Sequence, residues 1–184
     1  MKKIQIEKVE AARRQIDAAI RWLFAKGDPV AIFTVASAGY RILRDIAEIR
    51  GNVGIHQSQK DIIRPGKEKE YWKFINAPVN FLKHAEKDPD ATFQGFKEEY
   101  IDVTISIACL YYHGLGYKIT TEMHLFSVWY MIQHPNIIKD TAPIKGIIID
   151  ELPFVKNMSR YARLEVGRLL LEKAGIYKKY IKGG

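Results

Sequence analysis

The chain has 184 residues, of which 47% are hydrophobic and 27% are charged. This composition is typical of a folded protein, and it excludes a disordered chain, which lacks the apolar surface that offsets the entropy cost of ordering. The only cysteine is Cys109, which excludes an intramolecular disulfide bond and a thiolate metal cluster within one chain. At this length one core can form, so we expect a single helical domain over residues 1–184.

The formal net charge of +8 would suit a nucleic acid if the basic residues formed one stripe. They are scattered along the chain instead, and pairs such as Arg13 and Arg14 or Arg41 and Arg44 stand close to acidic residues. We therefore favour a solvated, mildly basic surface. Non-specific nucleic-acid binding is an alternative function.

Long apolar segments are missing from the sequence. No apolar core of signal-peptide length follows Lys2 and Lys3, and the longest apolar run, residues 101–112, contains Asp102. This run is shorter than the ~18 residues that a membrane span needs. We expect a cytoplasmic protein with no membrane partner.

Two amphipathic helices are predicted before Gly51. Their apolar residues recur at helical spacing, with charged residues mostly between them. They are Val9, Ala12, Ile16, Ala19, Ile20, Leu23 and Phe24 in the first helix and Ile32, Val35, Ala36, Gly39, Ile42, Leu43, Ile46 and Ile49 in the second. Gly27 is placed to end the first helix in the left-handed conformation, and Asp28 with Pro29 to begin the second. Since the connection is short and Gly39 is small, we expect a close antiparallel pair.

The next part of the chain combines a polar connection with a helix that contains a proline. Residues 51–66 are polar and glycine-rich, which is typical of a long loop. Helical spacing resumes over residues 67–86, but Pro78 lacks an amide donor, so we expect a kink or a restart near Asn76. The sequence Asp88-Pro89-Asp90 is expected to end this element.

Residues 96–113 fit two kinds of secondary structure. The apolar residues from Ile101 to Ile107 alternate with polar ones as in a strand, yet the apolar run continues to Tyr112. Because this length exceeds that of a typical strand, we favour a buried central helix that ends at Gly114 or Gly116. A further helix is predicted to run to Gln133 after a cap at Thr120 or Thr121.

The last part of the chain begins with a stretch whose apolar residues show no clear periodicity. Residues 137–156 show no helical spacing, and Ile147-Ile148-Ile149 fits either a short strand or a buried loop. Apolar residues over 158–171 then mark a final helix that Gly175 ends. The whole pattern predicts an all-α fold, a bundle of about five to seven helices.

A polar stripe on the predicted helix near residue 80 is the candidate binding site. At 100° per residue its members share one side of the helix, opposite Val79 and Leu82. Its candidate ligand-binding residues are Asn76, Asn80, Lys83, His84 and Asp88. An amide, an imidazole and a carboxylate at four-residue steps can orient a ligand or partner. The alternative interpretation is the solvated face of an ordinary surface helix.

Motifs for metals and cofactors are missing from the sequence. None of the five histidines follows a glutamate in a Glu-x-x-His pattern, and His84 has no second histidine at metal-ligand spacing. Phosphate-binding glycine motifs and nucleophile elbows are also absent. We expect neither a metal ion nor a cofactor.

Arg50 and His56 enclose five residues, a spacing that resembles the Arg-x(4–6)-His motif of HEPN ribonucleases, which are small helical bundles that usually pair as dimers. The resemblance covers residues 50–56 only, and Gly51 and Gly54 favour a loop there. It implies that His56 assists attack of a ribose 2′-hydroxyl and that Arg50 steadies the phosphate. A metal-independent ribonuclease is therefore the enzymatic alternative.

Three segments of the chain are similar to a family of uncharacterised bacterial helical proteins. They are residues 11–20, residues 31–45 and Asn80-Phe-Leu-Lys-His-Ala-Glu-Lys-Asp-Pro-Asp90. The resemblance covers about the first half of the chain. It implies a helical fold and a bacterial cytoplasmic setting, and it implies that the third segment has a special role, but it implies no activity. We interpret the chain as a non-enzymatic binding or interaction module, expected to be homo-oligomeric, whose polar stripe contacts a small molecule or a protein.

Overall fold

The structure is a computed structural model that describes residues 3–52, 54, 66–84, 86, 89–134 and 158–176. These residues contain helices and no strand, so the predicted all-α fold is confirmed. The helices are α1 (Lys8–Phe24), α2 (Pro29–Ile49), α3 (Glu68–Lys83), α4 (Glu99–Gly114), α5 (Thr121–Gln133) and α6 (Arg160–Lys173). None of these helices combines the length and hydropathy that crossing a bilayer requires. The predicted irregular stretch 137–156 and most of the predicted loop 51–66 lie outside the described residues.

Helices α1 and α2 form the predicted antiparallel pair, and they approach most closely at Gly39. A Cβ atom at this glycine would lie 3.0 Å from Ile16 Cγ1 and 3.1 Å from the carbonyl oxygen of Ala12. Ala12, Ile16 and Leu43 are fully buried between the helices and their neighbours. The small residue at position 39 therefore lets the two backbones come together, as the sequence predicts.

The turn between α1 and α2 differs from the prediction in one detail. The left-handed residue is Lys26, with φ at 58°, and not Gly27. Gly27 comes next, where its N–H donates to the Trp22 carbonyl at 2.9 Å and a Cβ would crowd that oxygen at 3.3 Å. The start of α2 is as predicted, because Asp28 Oδ1 accepts a hydrogen bond from the Ala31 N–H at 2.8 Å.

The ambiguous segment around residue 105 is helix α4, which packs against α2. Ile101 and Ile105 are buried, but so are the polar residues Asp102 and Thr104, each 5% exposed. The strand-like alternation therefore does not separate a buried face from a solvated one. A helix that is buried almost all round loses its amphipathic period, which explains why the sequence left two interpretations.

Helices α5 and α6 pack against α1 on a part of the core centred on Phe24. The Phe24 ring is fully buried, and its centroid lies 5.2 Å from that of Trp129 in an edge-on arrangement. Gly167 of α6 faces the same ring. Thr120 is the N-cap of α5, since its Oγ1 accepts a hydrogen bond from the Met123 N–H at 3.1 Å.

Helix α3 is attached to this core through Ile75 and Val79, which are both buried. The helix continues through Pro78, so the predicted restart near Asn76 is wrong. Packing of apolar residues on both sides of the proline holds the helix although one backbone hydrogen bond is lost. The helix also ends at Lys83, earlier than the predicted end at residue 86.

We predict that Gly167→Ala destabilises the fold. A Cβ at this position would overlap the ring of Phe24, which is fully buried against Trp129 and cannot move aside. Overpacking costs about 1–3 kcal/mol, while alanine gains about 1 kcal/mol over glycine in a helix, so we expect a net loss of up to about 2 kcal/mol. Urea unfolding measures the loss. Val166→Ala, at an exposed neighbour, is the control, and a stabilised Gly167→Ala variant would contradict the packing described.

Candidate functional site

A cleft of about 580 Å³ lies beside the C-terminal half of α3. One wall comes from the helix, and the other comes from the chain that follows it. The lining residues are Ala77, Asn80, Phe81, His84, Glu86, Ala91, Thr92 and Phe93. The volume is within the range of about 300–1,000 Å³ that is usual for small-molecule sites. We call this feature the α3 cleft.

Asn80 and His84 reach the α3 cleft because they stand one turn apart at the end of the helix. The backbone N–H of His84 donates to the Asn80 carbonyl at 3.2 Å, which keeps the imidazole one turn after the amide. The backbone of His84 is nevertheless extended, with φ at −130° and ψ at 112°. His84 therefore lies just outside the helix on which the stripe was predicted, although the two side chains still line one cleft.

The other predicted ligand-binding residues are distributed differently. Asn76 is half-buried and Lys83 is exposed, and neither lines the α3 cleft. Asp88 lies outside the described residues, so its part in the site stays a prediction. The structure therefore brings together Asn80 and His84 of the predicted set.

The α3 cleft has polar and aromatic walls. His84 Nδ1 is 3.3 Å from Glu86 Oε1, and both side chains are mostly exposed. The rings of Phe81 and Phe93 lie with their centroids 5.4 Å apart at an angle of 39°. An amide, an imidazole, a carboxylate and the Thr92 hydroxyl can therefore form hydrogen bonds with a ligand whose apolar part contacts the rings.

Six lining residues were absent from the sequence-based set: Ala77, Phe81, Glu86, Ala91, Thr92 and Phe93. Phe81 was assigned to the apolar side of the helix together with Val79 and Leu82. Thr92 and Phe93 come after the Asp88-Pro89-Asp90 sequence, and the Phe93 ring lies against that of Phe81. The signal that could have indicated this second wall is an aromatic residue, Phe93, soon after the predicted helix end at Asp88-Pro89-Asp90.

The alternative catalytic pair is only partly described. Arg50 is exposed, and its Nη1 lies 3.2 Å from the hydroxyl oxygen of Tyr117. His56 lies outside the described residues, so the ribonuclease interpretation remains untested.

Cys109 is buried, and burial raises the pKa of its thiol far above the usual range, which disfavours the nucleophilic thiolate. Within the described residues, no group of three or more histidine, cysteine or acidic side chains could hold a metal ion.

Among the residues that the structure describes, three acidic side chains outside the cleft are buried, and each one pairs with an arginine. The pairs are Asp17 with Arg13 at 2.7 Å, Glu122 with Arg21 at 2.7 Å, and Asp102 with Arg160 at 2.6 Å. The helical pattern had placed Asp17 away from the apolar face, but the residue is only 2% exposed. Three of the positively charged arginine side chains therefore pair with buried carboxylates of the same chain.

The carboxyl group of Asp17 has an unusual environment. Burial is the main cause that raises its pKa to about 6, and the nearby Glu122 carboxylate adds to the effect. A hydrogen bond from the Thr120 hydroxyl at 2.7 Å and the charge of Arg13 act in the opposite direction. Since the same Thr120 oxygen caps α5, this carboxyl connects α1 to the start of α5.

We predict that Asp17 makes the fold less stable as the pH rises from about 4 to about 7. The folded pKa of about 6 is above the ordinary value of 3.8, so in this window the folded protein holds a proton that the unfolded chain has released. The unfolding free energy of the wild type minus that of Asp17→Asn should fall by up to about 3 kcal/mol. Asp45→Asn, at an exposed carboxyl on α2, is the control. A constant difference for Asp17→Asn would contradict the raised pKa.

Comparisons of the chain with protein-family models, with curated proteins and with solved structures give no match. The resemblances to a bacterial helical family and to HEPN ribonucleases therefore stay predictions. The function proposed below follows from the α3 cleft.

Proposed function

We propose that the protein is a non-enzymatic binding module that holds a small molecule in the α3 cleft. The observation that supports this function best is that Asn80 and His84 line one cleft together with Phe81 and Phe93. The helical spacing of the sequence alone predicts the two polar residues on one side of α3. A polar stripe on an ordinary surface helix has no second wall opposite it.

The chemistry of the walls supports a ligand with a flat apolar part and a polar edge. The amide of Asn80 both donates and accepts hydrogen bonds, and the pair of His84 with Glu86 offers further partners at the same end. Removing apolar ligand surface from water contributes about 25 cal/mol per Å². The rings of Phe81 and Phe93 provide the surface for this burial, while the polar groups fix orientation.

We predict that Asn80→Ala and His84→Ala each weaken binding of benzamide, a flat ring that carries one amide. Loss of one hydrogen bond costs about 0.5–1.5 kcal/mol, so the dissociation constant should rise about two- to tenfold. Ligand-observed NMR titration measures the constant. Both side chains are exposed, so neither substitution is expected to disturb the core.

The matched control is His124→Ala, which removes an exposed imidazole from α5, away from the cleft. This variant should bind benzamide as the wild type does. If benzamide bound equally to the wild type and to both cleft variants, the α3 cleft would not be the binding site. Absence of binding to the wild type by benzamide, phenol and phenethylamine would contradict the proposed function itself.

A further inference from the structure

A second cavity adjoins the α3 cleft and shares part of its wall. It has a volume of about 310 Å³. Its lining residues are Val30, Pro78, Phe81, Leu82, Ala91, Thr92, Phe93 and Phe96. Four of them, Phe81, Ala91, Thr92 and Phe93, also line the α3 cleft, so a molecule in the cleft can extend into this cavity.

The second cavity is apolar, and its walls are held in place. None of its described lining residues is charged, and Thr92 is the only one with a polar side chain. The Phe96 ring packs edge-on against Phe33 of α2, with centroids 5.5 Å apart, and Phe33 is fully buried. Leu82 also packs against the core. This cavity therefore suits an aliphatic or aromatic tail and gives no partner to a second polar group.

The polar end of the α3 cleft favours a positively charged group. Glu86 supplies a carboxylate, and Asn80 supplies a carbonyl acceptor. The faces of the Phe81 and Phe93 rings attract cations through their quadrupoles. A carboxylate head group would face the like charge of Glu86, whereas an ammonium group can donate hydrogen bonds to the Glu86 carboxylate and to the Asn80 carbonyl.

We propose that the α3 cleft and the second cavity together bind an amphipathic primary amine, with its ammonium group near Glu86 and its apolar tail between Val30 and Phe96. This inference rests on the proposed function and specifies the chemical class of the ligand. The tail follows the shared wall of Phe81 and Phe93 from one cavity into the other.

A series of simple amines tests the position of the tail. The probes are ethylamine, butylamine and hexylamine, titrated against the full chain by NMR. Full burial of one methylene contributes about 0.8 kcal/mol, or about fourfold in affinity, so hexylamine should bind at least tenfold more tightly than ethylamine. Val30→Ser should reduce this gain, because Val30 lines the second cavity and its exposure of 41% makes folding tolerant of the change. Val166→Ser, at another exposed valine, on α6, should leave the gain in affinity from ethylamine to hexylamine unchanged.

Hexylamine, hexan-1-ol and hexanoate share one tail and test the head group. The chain carries a net charge of +8, which by itself favours hexanoate, so a preference for hexylamine must come from the local carboxylate. We expect hexylamine to bind at least fivefold more tightly than hexanoate. Glu86→Gln should remove that preference, and Glu48→Gln, at an exposed position of α2, should leave it unchanged.

The outcomes separate this inference from the proposed function. If ethylamine bound as tightly as hexylamine, or hexanoate as tightly as hexylamine, the proposal that the ligand is an amphipathic amine would be overturned. The binding module would still stand if benzamide binding depended on Asn80 and His84. If neither the amines nor benzamide bound to the wild type, both proposals would be contradicted.

Discussion

The close approach of α1 and α2 at Gly39 is the contact on which the other helices depend. Because a Cβ atom at this position would lie only 3.0 Å from Ile16 Cγ1 and 3.1 Å from the Ala12 carbonyl oxygen, a larger residue would crowd α1. The paired helices present α2 to α4 on one side and the Phe24 ring of α1 to α5 and α6 on another. Buried apolar residues of this pair and of the other four described helices form one core cluster, and that burial is the main stabilising term.

The α3 cleft depends on the same frame through aromatic contacts. Phe96 packs against Phe33 of α2, and Phe93 packs against Phe81 of α3, so residues 93–96 are held at two points. Val79 attaches the helix itself to the core. The polar groups of the cleft therefore stand on supported walls although their own side chains are exposed, as expected of a site whose scaffold is rigid.

Local signals in the sequence predict most of the fold, but of the residues that line the candidate site they predict only Asn80 and His84. Asp28 caps α2 and Gly51 ends it with φ at 62°, because both effects depend only on neighbouring residues. The burial of Asp17 could not be predicted from its helical position, since it depends on Thr120 arriving from another helix. The second wall of the cleft was missed for a similar reason. Phe93 faces Phe81 only after the chain has turned, and periodicity carries no information on that turn.

The central claim is that the α3 cleft binds a ligand at Asn80, and the side-chain amide resonances of the protein test it most directly. On addition of benzamide to ¹⁵N-labelled protein, the amide signal of Asn80 should shift and reach a plateau as the cleft fills. The amide signal of Asn52, whose Nδ2 donates to the Gly114 carbonyl at 3.1 Å, should stay in place. An unchanged Asn80 signal at the highest benzamide concentration, or equal shifts at both asparagines, would contradict the account.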